Sequence, residues 1–538
     1  MRTVYIIYHL AHADFLERTR RYSFLITLGL ILFLAYSYVP SRDAGYITLA
    51  VEGARGVYNS AWVGSLVAIL TGITLPLLGF YLVKNAVARD TETGVGQIMA
   101  TTPLTRPVYT LGKWLSNLAV LTLMAGVTAL AAVVLQLARG EDRQLDLLAL
   151  LSPMLWVVLP TLVLVAALAV LFETVGWLRG GLGNVIYFFV CTAVTMASFL
   201  PVMMNAGGPE VVSLPIDVFG IGLPLGSMLA ATSAAFPGLD VGNNSIGPVP
   251  LALAGPLQTF VWAGVQWTPA VIVARLLWVG VAGAIALLAA LCFNRFDPSH
   301  TRVRRQDGDM APVPVEVHET PVSPVQLVTL LPLVAVRFSF GRLLLAELRL
   351  MRASLRWWWL LIAAGVTIGG VLAPTDVAQH YLLPTAWLWP ILVWSSLGTR
   401  EVRNHTTQLV FSAAHPLGRQ LPATWLAGVL MTALTGSGVA LNLLLAGDLP
   451  SLFAWAVAAL FIPALAVALA VWSGSGKLFE VVYMLLWWFG PLNQIVPQLD
   501  FMGVSDTARA AGMPLIYLVI TVAVLGGALV GRRRQLQG

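Results

Sequence analysis

Charge is scarce in this chain of 538 residues: only 10% of the side chains are Asp, Glu, Lys or Arg, against 58% apolar ones, and mean hydropathy is +0.82. A soluble domain carries about 25% charged residues, so that class is excluded. Cysteine is almost absent. Cys191 and Cys292 both fall in apolar runs, where two lone thiols read as packing residues rather than as a disulfide or a metal pair. Acids are missing from the centres of the apolar runs, which removes the midplane carboxylates that ion coupling uses. A phosphate-binding loop, Gly-x4-Gly-Lys-[Ser/Thr], is also missing. "SGSGKLF" (Ser473 to Phe479) imitates its tail, with Val471 in place of the first Gly and Leu478 in place of the hydroxyl.

What is present is a series of long apolar runs, near 22–39, 62–85, 113–138, 147–172, 183–204, 269–293, 356–374, 381–398, 421–446, 450–472, 478–498 and 512–531. Each is long enough to cross a hydrocarbon core of about 30 Å as a helix, whereas a barrel would show short alternating segments. The reading is an all-α integral membrane protein of about 12 transmembrane helices. The fifth and eleventh runs have Pro201, Pro491 and Pro497 near their ends. Most of the 31 Lys and Arg fall on the side that holds the N-terminus, and the acids outnumber the bases on the other. The positive-inside rule then places both termini in the cytoplasm. The pI near 9.4 thus reports topology and not nucleic-acid binding. No small-residue cleavage site follows the first apolar run, so it is expected to remain as an anchor.

Residues 294–326 are charged, rich in Pro and without apolar period, as a cytoplasmic linker is. They separate two six-span halves, 1–293 and 327–538. Three landmarks recur in order across the halves. Each half opens on a basic stretch, "FLERTRRYSFLI" at Phe15 and "GRLLLAELRLMRASLRWWWLL" at Gly341. In the second, Arg342, Arg349, Arg352 and Arg356 share about 80° of helical arc, as in a helix lying at the membrane interface. After span two come "ARDTETGVGQIMATTPLTR" and "TREVRNHTTQLVFSAAHPLGR", which share a basic-acidic pair (Arg89-Asp90, Arg400-Glu401) and then Pro-Leu-x-Arg (Pro103 to Arg106, Pro416 to Arg419). Span five opens on "LGNVIYFF" at Leu182 and "LFEVVYML" at Leu478. The order favours an internal duplication. The halves differ on the outside, where 205–268 is a long loop and its counterpart near 499–511 is brief.

The first interruption offers Asp90, Thr91 and Thr93 as caps, Gly94 and Gly96 as punctuation and Val95, Ile98 and Met99 as an apolar patch; Pro103 marks the expected stop of a short helix. An apolar knob at the membrane edge needs a partner's groove. An acid, a short helix, "TPLTR…Y…GK" and then a span resembles the loop between spans two and three of type-2 ABC transporter permeases, the ABC-2 type of exporter subunit. Residues 90–113 carry the likeness most fully; 401–426 has His415 for Thr102 and no Lys where Lys113 stands. The interfacial helix before span one and the outer loop before span six are also similar to that class. The resemblance implies that 90–106 and 401–419 are coupling elements, with Asp90, Thr102, Pro103, Leu104, Arg106, Glu401, His415, Pro416, Leu417 and Arg419 as the residues that couple the chain to separate ATPase subunits. Those subunits, two copies or two related chains, would bind ATP and Mg. It implies secondary contacts at Trp177 to Asn184 and Ser473 to Glu480. This chain would itself be no enzyme and hold no cofactor or metal. Its place would be a prokaryotic cell membrane.

The export substrate is weakly encoded; an apolar or amphipathic one fits. Arg275, near the outer start of span six, is a weak substrate-binding candidate for an anionic group or lipid, against the plainer expectation that it snorkels outward. Glu173 and Glu480 lie near cytoplasmic span ends. Two rivals remain open: an ion-coupled secondary transporter of two six-span halves, and a lipid-linked transferase using Glu210, Asp217 or Asp240, which lack metal or acid-base spacing. His9 and His12 resemble half a metal site, and interfacial histidines are the plainer reading.

Overall fold

The computed structural model describes the chain except residues 1, 21, 42–43, 45, 52, 204–216, 238–244, 251–257, 294–337, 354, 356, 404–405, 414, 495 and 538. The predicted linker and Glu210, Asp240 and Arg356 lie outside the described residues. Two compact units emerge, Met1–Asp297 and Pro298–Gly538. The described chain is overwhelmingly helical, as a multi-pass membrane protein requires. Among the described residues eight helices are long and apolar enough to span a bilayer, or nine if one bent pair counts as a single span.

In the first unit, α1 (Arg2–Thr19) and α2 (Tyr22–Tyr38) lead to β1 (Tyr46–Ala50) and β2 (Ala54–Gly56). Then come α3 (Ser60–Val83), two short helices α4 (Ala86–Glu92) and α5 (Val95–Ala100), and α6 (Arg106–Arg139). The unit continues through α7 (Leu147–Thr174), α8 (Gly181–Met203), α9 (Gly222–Ala235), β3 (Ser245–Pro250), β4 (Gln258–Phe260) and α10 (Pro269–Cys292). Its core is formed by α3, α6 and α7, with Trp62, Leu66, Phe80, Leu121 and Val165 buried together. At 34 residues, α6 is about 51 Å long, well beyond a hydrocarbon core of about 30 Å. The strands were not expected from sequence. β1 pairs antiparallel with β3 and β2 parallel with β4, tying the connection after α2 to the segment before α10.

The second unit holds α11 (Phe340–Ala353), α12 (Trp357–Leu372), the short helices α13 (Arg400–Arg403) and α14 (Thr407–Phe411), α15 (Pro416–Ala446), α16 (Leu449–Ser473), α17 (Lys477–Trp487), α18 (Asp506–Ala510) and α19 (Met513–Gln537). α11 and α12 meet at 104°. Twelve continuous spans are not present among the described residues. The run expected at 22–39 gives a helix of 17 residues. The run at 381–398 is broken, with a π turn at Ala378–Leu382, a short helix Leu383–Leu388 and a restart at Ile391–Trp394 after Pro390. The run at 478–498 passes from α17 into a π turn, Trp488–Leu492, that contains Pro491. Proline has no N–H and its ring collides with the carbonyl four residues back, so the helical ladder opens at these points.

Pro160 shows how such a break is filled. Its missing N–H leaves the Trp156 carbonyl without its helical donor just after the π turn Met154–Val158. Arg275 of α10, 1% exposed, donates to that carbonyl from Nε at 3.0 Å. Its NH1 donates to the Asp217 and Val218 carbonyls, both at 3.0 Å, and its NH2 to Val157 O and Thr161 Oγ1 at 3.4 Å. Gly220 turns away beside it with φ +73°, where a Cβ would sit 2.6 Å from the guanidinium carbon, so both the turn and the approach require glycine. The snorkelling expected of Arg275 is therefore corrected: the side chain is enclosed and braces three segments. A related turn, Asp500 to Gly503 (φ +61°), stands in the second unit, where the Arg509 NH1 donates to the Gly503 and Val504 carbonyls.

Replacing Arg275 with Met should remove the donors of several buried carbonyls and destabilise the protein by about 3–5 kcal/mol. Lys, a point charge without the planar fork, should recover only part. Thermal unfolding of the detergent-purified protein measures both.

Candidate functional site

The first interruption begins where α3 ends. Asn85 takes φ 104°, which interrupts the helical ladder, and the N-terminus of α4 meets a carboxylate from α7. Glu173 Oε1 accepts from the backbone N–H of Asn85 (2.5 Å) and Ala86 (3.0 Å), and Oε2 from Val87 (2.6 Å) and Ala88 (3.1 Å). The first N–H groups of a helix have no internal partner and favour an anion, and this buried carboxylate supplies it. The caps expected at Asp90, Thr91 and Thr93 are corrected. Thr91 and Thr93 donate back to the Val87 and Arg89 carbonyls, and α5, the helix they were expected to cap, starts from Gly94 with no side-chain cap. Lys84 Nζ in turn donates to Leu178 O (3.2 Å) and Asn184 Oδ1 (2.6 Å), fixing the turn before α8.

Behind α4 lies a buried ion network. Asp14 of α1 is within 2.9 Å of Arg18, 2.8 Å of Arg89 and 3.1 Å of Lys113, and it accepts from Ser116 Oγ at 2.6 Å. Asp90 accepts from Lys113 Nζ at 2.8 Å and from the Tyr109 hydroxyl at 2.7 Å. Arg18 also donates to Asn117 Oδ1 and the Val83 carbonyl, and Arg89 pairs with Glu17. Asp14, Arg18, Asp90 and Lys113 are all buried. Three cations face three carboxylates, so the cluster is neutral and its members are hydrogen-bonded, the condition under which buried charge is tolerated. Burial pushes the Asp14 carboxyl up, but Arg18, Lys113 and the Ser116 and Lys113 hydrogen bonds outweigh it and hold the group at about 2, below its usual 3.8.

The second interruption repeats the plan with different parts. Gly398 takes the left-handed turn (φ +74°) before α13. Arg400 pairs with Glu347 of α11 at 3.2 Å, as Arg89 pairs with Asp14 of α1. Glu347 Oε1 also accepts from Thr424 Oγ1 at 3.3 Å. Burial raises the Glu347 carboxyl against the opposing pull of Arg400, and burial lowers the Arg400 guanidinium. Glu401 accepts from Gln420 and lies 3.7 Å from Arg532 of α19. The cation that Lys113 supplies from α6 is here delivered by the last helix. The span-five landmark also has a structural counterpart: buried Tyr187 donates to the Pro76 carbonyl (2.9 Å) and buried Tyr483 to the Trp387 carbonyl (2.7 Å). One sequence interval separates Pro76 from Trp387, Arg89 from Arg400 and Asp90 from Glu401.

The residues expected to couple the chain to a partner divide by this architecture. Asp90 and Glu401 are buried and anchor the loops from within. Thr102, Pro103 and Arg106 are exposed. Leu104 is half-buried and packs with Met99 on Tyr109 and Phe293, whose rings stack at 4.7 Å. His415 is exposed and left-handed (φ +58°). Pro416 and Leu417 are half-buried, and Pro416 starts α15. Arg419 lies over the Phe338 ring at 4.1 Å. The free apolar tips are Ile98, 68% exposed, with Val95 beside it, and Leu409, 75% exposed. Arg275, 18 residues before Phe293, stands about 27 Å from this end along its helix and belongs to a different locus. Sequence reading missed Asp14, Glu347 and Arg532. Asp14 had a local signal, an acid four residues before Arg18 in so apolar a chain; Glu347 and Arg532 had none, since their partners Arg400 and Glu401 lie far along the chain.

No family model and no curated protein matches the chain.

Asp14→Asn tests the network. Because the folded carboxyl titrates at about 2 and the free one at 3.8, the unfolded state binds more protons between those values, and stability rises with pH through that window. The substitution should cost about 2 kcal/mol at pH 6 and flatten that acidic limb, as read from thermal midpoints between pH 2 and 6.

Proposed function

We propose that the chain is the membrane-spanning subunit of an ATP-driven ABC transporter of the type-2 permease class, built by internal duplication and exporting an apolar or amphipathic substrate. The observation that carries this reading is the paired anchoring of the two interruptions. Each presents a short helix with an exposed apolar tip, and behind each tip a basic-acidic pair is locked to the preceding basic helix and to a long membrane helix. A tip held in this way passes a push on to the bundle, whereas a loop free to bend would absorb it. Separate ATPase subunits, binding ATP and Mg, would seat α5 and α14. Their approach and separation would shift the bundle between inward-open and outward-open states, by no more than their differential binding to the two. The reading puts both termini in the cytoplasm of a prokaryotic cell membrane.

The tips, unlike the anchors, can be altered without disturbing the fold. Ile98→Asp combined with Leu409→Asp should leave the thermal midpoint within a degree or two of the parent. It should also weaken capture of an ATPase from native membranes by roughly a hundredfold or more, the loss of burying two such side chains, and abolish ATP-dependent transport in reconstituted vesicles. Transport by the isolated chain on an ion gradient alone would overturn the proposal.

A further inference from the structure

α11 buries one face, with Glu347 and Met351 enclosed and packed toward α15. The opposite face is exposed and carries Arg342, Arg349 and Arg352, with Leu345 and Leu350 exposed on it and at its flank. The one carboxylate of the helix, Glu347, is turned inward and paired with Arg400, so nothing on the helix neutralises that face. Among the described residues, the guanidinium groups of Arg349 and Arg352 have no carboxylate within ion-pair distance. The helix meets α12 at 104°, and α12 opens on Trp357 (73% exposed) and Trp358, both exposed, the residues that collect at the level of lipid headgroups. α11 therefore lies along the membrane plane at headgroup depth, its buried face on α15 and its arginines pointing sideways into the headgroup layer.

We infer that the Arg349–Arg352 face of α11 is a binding surface for the phosphate-bearing headgroups of anionic phospholipids. The chemistry is a guanidinium fork against a phosphate, held where the acyl chains can lie along Leu345, Leu350 and the tryptophans. α1 offers an internal contrast. Among its described side chains, the face opposite buried Asp14 carries Tyr5, Tyr8, His9 and His12, with Tyr5 against His9 at 4.1 Å and Tyr8 stacked on His12 at 5.7 Å, aromatic rings where α11 has guanidinium groups. The binding surface depends only on the chain being embedded in a membrane and not on the transport proposal.

The test uses the full chain, extracted from vesicles of equal parts phosphatidylglycerol and phosphatidylcholine, with retained lipids counted by native mass spectrometry. The parent should retain phosphatidylglycerol preferentially. Arg349→Gln with Arg352→Gln should lower that ratio about fivefold or more, given the attraction of each basic residue to an anionic surface. Arg349→Lys with Arg352→Lys should keep most of it, and His9→Gln with His12→Gln should leave it unchanged. Should the glutamine variant fail to fold, the parent supplies the same answer: about 1 M salt, where screening acts within about 3 Å, should erase the preference. An unchanged ratio in a well-folded glutamine variant, or in the parent at high salt, overturns the assignment. Loss of the ratio on adding inorganic phosphate at constant ionic strength would assign the face to free phosphate and overturn it as well.

Discussion

A charge removed from water has to meet its counter-charge in the same place, and in this chain that requirement governs how the interruptions are held. Asp14 is surrounded by Arg18, Arg89 and Lys113, and Glu173 by four consecutive backbone N–H groups. Neither carboxylate could sit where it does alone, because burial without partners costs several kcal/mol. Since the partners lie on α1, α4, α6 and α7, satisfying two anions positions four helices. The short helix α4 owes its existence to this arrangement: seven residues are too few to be stable by themselves. Its N-terminus is fixed by Glu173 and its C-terminal half by Asp90 against Lys113 and Tyr109.

The second unit meets the same requirement with other residues. Glu347 does what Asp14 does, and Arg532, nearly at the chain's end, stands in for Lys113. The pairing of an acid on the basic helix with the arginine of the basic-acidic dipeptide is kept, while the source of the second cation is not. Its 3.7 Å separation makes the Glu401 pair looser than Asp90 with Lys113 at 2.8 Å.

Much of this was legible in the residues and some was not, for physical reasons. Long helices such as Ser60–Val83 and Leu449–Ser473 announce themselves by apolar length alone, because bilayer thickness sets a minimum that little else imitates. The runs containing Pro384, Pro390 and Pro491 pass the same composition test yet break, since composition ignores a missing N–H. The strands at Tyr46–Ala50 and Ser245–Pro250 are stabilised by each other across nearly two hundred positions and leave little local mark. The interruptions themselves were visible as "ARDTETG" and "TREVRNH", but the inward aim of Asp90 and Glu401 depended on partners far along the chain. No spacing rule connects Glu173 to Asn85 or Arg532 to Glu401.

The π turns at Met154–Val158, Ala378–Leu382 and Trp488–Leu492 have a geometric corollary. Each takes up one residue more than an α turn does, so everything beyond it is rotated by about 100° from the position an uninterrupted helix would give it. A helix carrying such a turn has two faces out of phase, one above and one below. Side chains that would share a stripe on a regular helix are divided between the interior and the lipid. Ala167 and Val157 are both enclosed, although Leu155, one turn from Leu159, is half exposed to the surroundings. Insertion or loss of one residue at these points would rephase half a span while leaving the other half in place, a coarse adjustment that point substitution cannot make.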